Sequence, residues 1–275
     1  MGVFQNNLLA GAVAATAGGG AFYSHQIENS CRFDASASSR LYKTFGTPTS
    51  TTQITVSFWI KIPSIAGYQQ IFSKDNGYAG GGASFSLEDN YDGTNRNNLL
   101  MYGMVGNSGG NAGASYVPAS QLVDPASWYH IHWKVDTGAS GSGNSAKAVN
   151  HINGNIQTFT YTNEPSGNFN RFNDATAHSI GNGAAGTQGD SYLAEFVFLD
   201  GQYEDYTSFG ELKNGVWVPK DPSSLTFGNN GFYLKFENSS DLGNDSSGNN
   251  NDFTSSGLGA DHQTIRTPTT GAGSS

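Results

Sequence analysis

Cysteine is almost absent: Cys31 is the only one in 275 residues, so no intramolecular disulfide can form. The chain is therefore not a stapled secreted mini-domain. In Asn29-Ser30-Cys31-Arg32-Phe33 the thiol alternates with Arg32 and reads as a small buried hydrophobe. Charge is scarce too, at 13% of residues, so solubility falls to Asn, Ser, Thr and Gly. The 13 Lys and Arg never cluster and the net charge is −9. That balance excludes nucleic acid and anionic membrane surfaces as partners, because nothing basic is gathered to displace phosphate counterions. Residues 8–17 form an apolar run too short to span a bilayer. They lack the basic flank of a signal peptide, since the first basic residue is Arg32. Asn6 stands where a myristoylation motif takes Ser or Thr.

What is present points to strands. The chain holds 37 Gly and 12% aromatic residues, the mixture that many short strands and tight turns require. Ile54-Thr55-Val56-Ser57-Phe58-Trp59-Ile60-Lys61-Ile62 alternates, which puts Ile54, Val56, Phe58, Ile60 and Ile62 on one face and Trp59 on the other. Gln70 to Lys74, Ala83 to Leu87, Asn98 to Val105, Trp128 to Asp136, Ala148 to Ile152, Ile156 to Tyr161, His178 to Ile180 and Leu193 to Asp200 follow as further strands. Asn76-Gly77 and Asn153-Gly154 mark tight turns, because both positions tolerate positive φ. With no amphipathic helical run after residue 30, the expectation is an all-β sandwich.

The order of these pieces carries a resemblance. Gly231-Phe232-Tyr233-Leu234-Lys235-Phe236-Glu237, followed by Asp245-Ser246-Ser247-Gly248-Asn249-Asn250-Asn251-Asp252-Phe253, resembles the signature of laminin-G-like, concanavalin A-type sandwich domains. Cys31 to Asp34, Ile54 to Lys61, Gln70 to Lys74, Trp128 to Trp133, Val149 to Gly154 and Tyr192 to Phe196 match further motifs of that family in the right order. A narrower likeness lies in Ala194 to Gln202, Ser208 to Glu211 and Gly215 to Lys220, which are similar to virion proteins of tailed bacteriophages. There a lectin-like sandwich follows a short attachment segment. The resemblance implies a concanavalin A-like jelly roll with an N-terminal arm. The expected role is a non-enzymatic virion protein of the tail, fibre, head appendage or decoration type, located on the virion. Its implied partners are other virion proteins, further copies of itself and host surface glycans.

Three divisions of the chain are expected: an arm over 1–28, a sandwich over 29–262 and a tail over 263–275. The arm is rich in Ala and Gly, nearly uncharged, and includes Gly18-Gly19-Gly20. Phe4, Leu8, Leu9, Phe22 and Tyr23 are its apolar anchors, expected to dock on other subunits rather than on the sandwich. Phe232, Leu234 and Phe236 are expected inside the same sandwich, because too few residues follow for a second core.

Candidate chemistry is sparse. The alternative on this fold is a glycoside hydrolase or depolymerase, which needs two carboxylates converging in one groove. Glu88 and Asp89 are adjacent and so diverge on a strand, and Glu204-Asp205 lie in a polar turn. Glu195 matches an acid of the sandwich family that is structural or rim-located. Gly106-Asn107-Ser108-Gly109-Gly110 has the spacing of a nucleophile elbow but continues as loop, without the helix that elbow needs. His130 and His132 share a strand face and offer two metal ligands; His151 and His178 could join them only through tertiary pairing, so hydrogen-bonded structural histidines are the favoured reading. Asp241, Asp245, Asn249 and Asp252 are the candidate ligands for Ca²⁺, the one cofactor considered, against a loop of Asx turns held by its own hydrogen bonds. Tyr78, Tyr91, Tyr102 and Tyr116 are the candidate stacking platforms for sugar rings, or equally for contacts between subunits.

Overall fold

The computed structural model describes residues 22–63, 68–74, 83–88, 98–102, 115–118, 122–140, 147–162, 167–169, 171–181 and 189–270. The first strands are β1 (Ser30–Phe33), β2 (Arg40–Thr44), β3 (Gln53–Lys61), β4 (Tyr68–Lys74), β5 (Ser84–Glu88) and β6 (Asn98–Tyr102). Next come β7 (Ser115–Pro118), β8 (Tyr129–Asp136), β9 (Ala148–Ile152), β10 (Asn155–Ile156), β11 (Phe159–Thr162) and β12 (Ala177–Gly181). The last are β13 (Ser191–Asp200), β14 (Gly210–Lys213), β15 (Val216–Pro219), β16 (Phe232–Leu234), β17 (Thr254–Ser256) and β18 (Gln263–Thr264).

Two antiparallel sheets form a jelly-roll sandwich. The first runs β10-β9-β8-β3-β13-β1-β18, with β16 also on β13, and the second runs β11-β7-β6-β5-β4-β12-β2-β17. Between them lies one core. Ile54, Val56, Phe58 and Ile60 enter it from β3, as their alternation predicts, and meet Phe72, Phe85, Ile180 and Leu41 of the second sheet. The Phe72 ring stands 5.5 Å from that of Phe196, edge to face, and Phe196 stacks on Phe58 at 4.8 Å. β16 pairs with β13 through Phe232↔Phe198 and Leu234↔Phe196, so the late signature strand belongs to this sandwich.

β3 departs from a simple half-buried strand, because Thr55, Ser57 and Trp59 on its far side are buried as well. The cover is the stretch after β13, where the β14–β15 hairpin lays Trp217 across the outer face of the first sheet. Glycine makes this possible. A Cβ on Gly154 would stand 2.4 Å from the Trp217 ring, and Asn153 (φ 50°) and Gly154 (φ 75°) form the tight turn their sequence predicts. The expected strand from Ile156 to Tyr161 is instead two, β10 in the first sheet and β11 in the second.

Both ends of the expected sandwich shift. Residues 22–28, assigned to the arm, lie on the sandwich: Ile27 is buried beside Trp59, Ala194 and Trp217. Its backbone N–H and C=O both bond the Thr269 hydroxyl at 3.0 Å. Phe22 and Tyr23 are half-buried there, with Lys213 Nζ 5.6 Å from the Phe22 ring centre. Phe4, Leu8 and Leu9 lie outside the described residues. At the other end β18 pairs with β1, so the sandwich extends past residue 262.

Candidate functional site

Alternation leaves a polar set on the outer face of each sheet. On the first sheet Ser57 stands opposite His132, and Trp59 opposite His130. His130 Nε2 lies 2.9 Å from Ser57 Oγ, the arrangement of a nucleophile with its base. The tautomer decides against that chemistry. Trp217 Nε1–H, which can only donate, bonds His130 Nδ1 at 3.0 Å. The single ring proton is therefore on Nε2, where it is donated to Ser57. Burial holds the His130 pKa down at about 3, with His151 adding to the effect.

His132 is fixed in the same way. Its Nε2 is 3.1 Å from the Glu204 carbonyl oxygen, an acceptor only, so the bare Nδ1 receives the His151 Nδ1–H at 3.3 Å. Burial, then the neighbouring histidines, hold His132 well below the usual range. These are structural neutral imidazoles. His178 sits on the other sheet, stacked on Phe45 at 4.1 Å. Trp217→Phe is expected to cost about 1–2 kcal/mol by leaving His130 Nδ1 unpaired. It should also release the tautomer, so ring ¹⁵N shifts that report only Nε2–H in the native protein should show both forms. An unchanged spectrum would refute the assignment.

Glu195 occupies a bulge where the β13–β3 register slips between Ala194 and Val197, with φ 49°. Its carboxylate accepts the Tyr233 hydroxyl and lies 3.3 Å from His25 Nε2. The Glu195 carboxylate is thus buried and bonded within the cover layer. The adjacent pocket, lined by Ser57, Trp59, His130, Glu195, Phe209 and Lys220, measures about 10 Å³. It holds about one water and no sugar ring.

The outer face of the second sheet is different. Thr254 pairs with Tyr42, Tyr42 with Ser179, Ser179 with Ser73 and Ser73 with Ser84. The same register line continues through positions Tyr102, Ser115 and Thr162. One line across all eight strands thus carries a hydroxyl residue at every step. Beside it, an irregularity between Gln70 and Phe72 returns Gln70 to the row of Ser86. Ser84 and Ser86 bond each other at 2.5 Å. Two groups on this face, Ser73 Oγ and Gln70 Oε1, are buried without a hydrogen-bond partner. Each such group costs about 1–3 kcal/mol, and neither is open to solvent. At the β17 edge Thr254 is exposed and Tyr42 half-buried, with the Arg40 guanidinium 5.3 Å from the Tyr42 ring centre.

The residues singled out in the sequence fall unevenly. Tyr78 and Tyr91 lie outside the described residues, as does the 106–110 loop. Tyr102 falls in register with Ser84 and Ser115, and Tyr116 with Met101. The Ca²⁺ loop is a self-bonded turn. Asp245 accepts from the Tyr233, Ser247 and Asn251 amides, and Asp252 from the Asp245 amide. Asn249 donates to the Gly228 and Gly231 carbonyls. Only backbone bonds tie Asp241 to this loop. No group of three or more His, Cys, Asp or Glu is placed to hold a metal among the described residues. The hydroxyl line itself escaped sequence reading, since each Ser or Thr is unremarkable until register aligns them.

No protein-family model matches the chain, and no curated protein is similar to it. Solved structures do resemble it. A candidate carbohydrate-binding protein from Bacteroides ovatus matches over 84% of this chain at 14% identity and a TM-score of 0.57. The chain spans 58% of the length of that protein. A heptameric pentraxin from Limulus polyphemus aligns over 64% of this chain and 78% of its own, at 16% identity and a TM-score of 0.44. Domain 4 of an extracellular arabinanase from Geobacillus stearothermophilus, solved with arabinotriose, aligns over 53% of this chain and 61% of its own, at 16% identity and a TM-score of 0.31. At these identities the first likeness speaks to the fold, a jelly-roll sandwich, and to nothing finer.

Proposed function

We propose that this chain is a non-enzymatic, glycan-binding structural module of a tailed-phage virion. One observation carries the binding half: the two-sheet jelly roll, an architecture shared with the Bacteroides protein described as carbohydrate-binding. The net charge of −9 selects against anionic ligands. Against catalysis stands the Ser57–His130 pair, whose proton is on the wrong nitrogen.

The virion half is supported by the resemblance of residues 194–202, largely in β13 of the first sheet, and of residues 208–211 and 215–220 in the layer that covers it. Attachment then falls to residues 1–21, since residues 22–28 are committed to the sandwich. Purified protein is expected to bind on a glycan array. Electron microscopy of the particle should place the protein on its surface, and deleting residues 2–21 should leave glycan binding intact while abolishing incorporation. Silence across the array defeats the binding half, and normal incorporation of the truncated protein defeats the arm.

A further inference from the structure

Resting on the glycan-binding reading above, we propose that a short neutral oligosaccharide docks at the open end of the first sheet's outer face, where Trp128 and Tyr192 alternate with Lys61 and Arg32. The row comes from register. Arg32 of β1 pairs with Tyr192 of β13, and Tyr192 with Lys61 of β3. Ile60 pairs with Tyr129, so Trp128, one residue ahead of β8, is the next step of the same row. Their chain neighbours Cys31, Leu193, Ile60 and Tyr129 all pack in the core, and side chains alternate along a strand, so the row itself faces outward. Trp128 meets Ile27 and Trp59 of the cover layer there.

The cover layer stops at this row. On the outer side of β3, Thr55, Ser57 and Trp59 are buried, as are Ala194, Val197 and Leu199 on β13. Lys61, Tyr192 and Trp128 are partly open to solvent, and the Arg32 side chain is 43% exposed. Among the described residues the Lys61 ammonium and the Tyr192 ring and hydroxyl enter no hydrogen bond, ion pair or ring contact. An aromatic ring with a polar tip suits the apolar face of a pyranose, and the cations on either side of Tyr192 are donors for its hydroxyls. Neighbouring strands lie about 4.8 Å apart, so Trp128 and Tyr192 stand about 10 Å apart, a span for an oligosaccharide rather than a single ring. Charge in the row is balanced on the spot. Arg32 Nη2 bonds Asp34 at 3.2 Å. Asp124 is held below the usual carboxylate range chiefly by hydrogen bonds from Ser127 and the Ala126 amide, and then by the Lys61 ammonium nearby. An acidic sugar would have to displace those carboxylates, whereas neutral hydroxyls can use donors and acceptors as they stand.

The test is calorimetric titration of the full chain with neutral hexasaccharides of glucose, mannose and galactose, with their monosaccharides, and with hexagalacturonate. At least one neutral hexasaccharide is expected to bind, about tenfold or more tighter than its monosaccharide and tighter than hexagalacturonate. Tyr192→Ala should weaken that binding about tenfold or more and Lys61→Met about threefold, whereas Tyr192→Phe, which keeps the ring, should stay within about threefold of native. Both positions lie outside the core, and native circular dichroism checks the fold of each variant. Unchanged affinity in Tyr192→Ala, a monosaccharide as tight as the hexasaccharide, or tightest binding of hexagalacturonate overturns this site while leaving glycan binding standing. Array glycans that bind when no neutral hexasaccharide does overturn it in the same way. If no array glycan and no hexasaccharide binds, the site and the proposed function fall together.

Discussion

Asp200→Ala is expected to lower the unfolding free energy by about 4 kcal/mol or more, the largest single-residue loss this chain should show. Asp200 ends β13 with its side chain fully buried. One carboxylate oxygen accepts from the Thr49 amide at 2.7 Å and the Asn230 amide at 3.1 Å. The other accepts from Asn173 Nδ2 at 2.8 Å and the Ser50 amide at 3.2 Å. Asn230 then bonds Asn173 and both backbone groups of Gly46, so three loops converge on one acid. Removing it leaves four donors facing a hole that water cannot easily enter. Asp200→Asn keeps the volume but turns an acceptor into a donor against an N–H, and should cost roughly half as much. Urea unfolding measures both, with exposed Leu212→Ala as the control that should stay within about 0.5 kcal/mol. A loss of less than about 1 kcal/mol for Asp200→Ala would show that the loops hold without it.

That node also shows where sequence reading stops. The alternation of Ile54 to Ile62 told which face of β3 meets the core, because side-chain direction on a strand has a period of two and needs no partner. The place of Phe232, Leu234 and Phe236 was legible from how little chain follows them. The convergence on Asp200 was not, since Thr49, Asn173 and Asn230 lie 27 to 151 positions away in sequence. The hydroxyl line was hidden for the same reason: eight positions scattered from residue 42 to residue 254 become neighbours only through strand pairing. The acidic loop around Asp245 illustrates a third limit. Oxygen-rich composition is shared by cation sites and Asx turns, and only the backbone amides actually pointing at Asp245 and Asp252 separate them.

Acid should unfold the protein well above the pH at which carboxylates are usually lost, because its buried histidines must stay neutral. His130 is held down to about 3 and His151 to about 4, in both cases chiefly by burial, and His132 is lowered for the same reason. The sign follows from proton binding. Between about pH 6.5 and those lowered values the unfolded chain binds protons that the fold refuses, so stability is fully present above pH 6.5 and declines as pH falls. At pH 5 His130 alone withdraws about 2 kcal/mol, and His132 adds in the same direction. His151 contributes less, being nearer solvent beside Asp205. Geometry gives the same answer as burial. A second proton on His130 would face the Trp217 N–H, and one on His132 Nδ1 would face the His151 N–H. His25 works the other way: its hydrogen bond to Glu195 raises its pKa, so that contact strengthens below pH 6.5 and is lost as pH rises. It ties down only residues 22–28 and offsets little of the global loss. His130→Gln retains an acceptor for Trp217 and a donor for Ser57 but cannot titrate. Unfolding free energies measured from about pH 4.5 to pH 7.5 should therefore run parallel above about pH 6.5 and, below it, fall more gently in the variant, by about 1.4 kcal/mol per pH unit. Parallel curves for the two proteins would mean that His130 is not the group the fold keeps neutral.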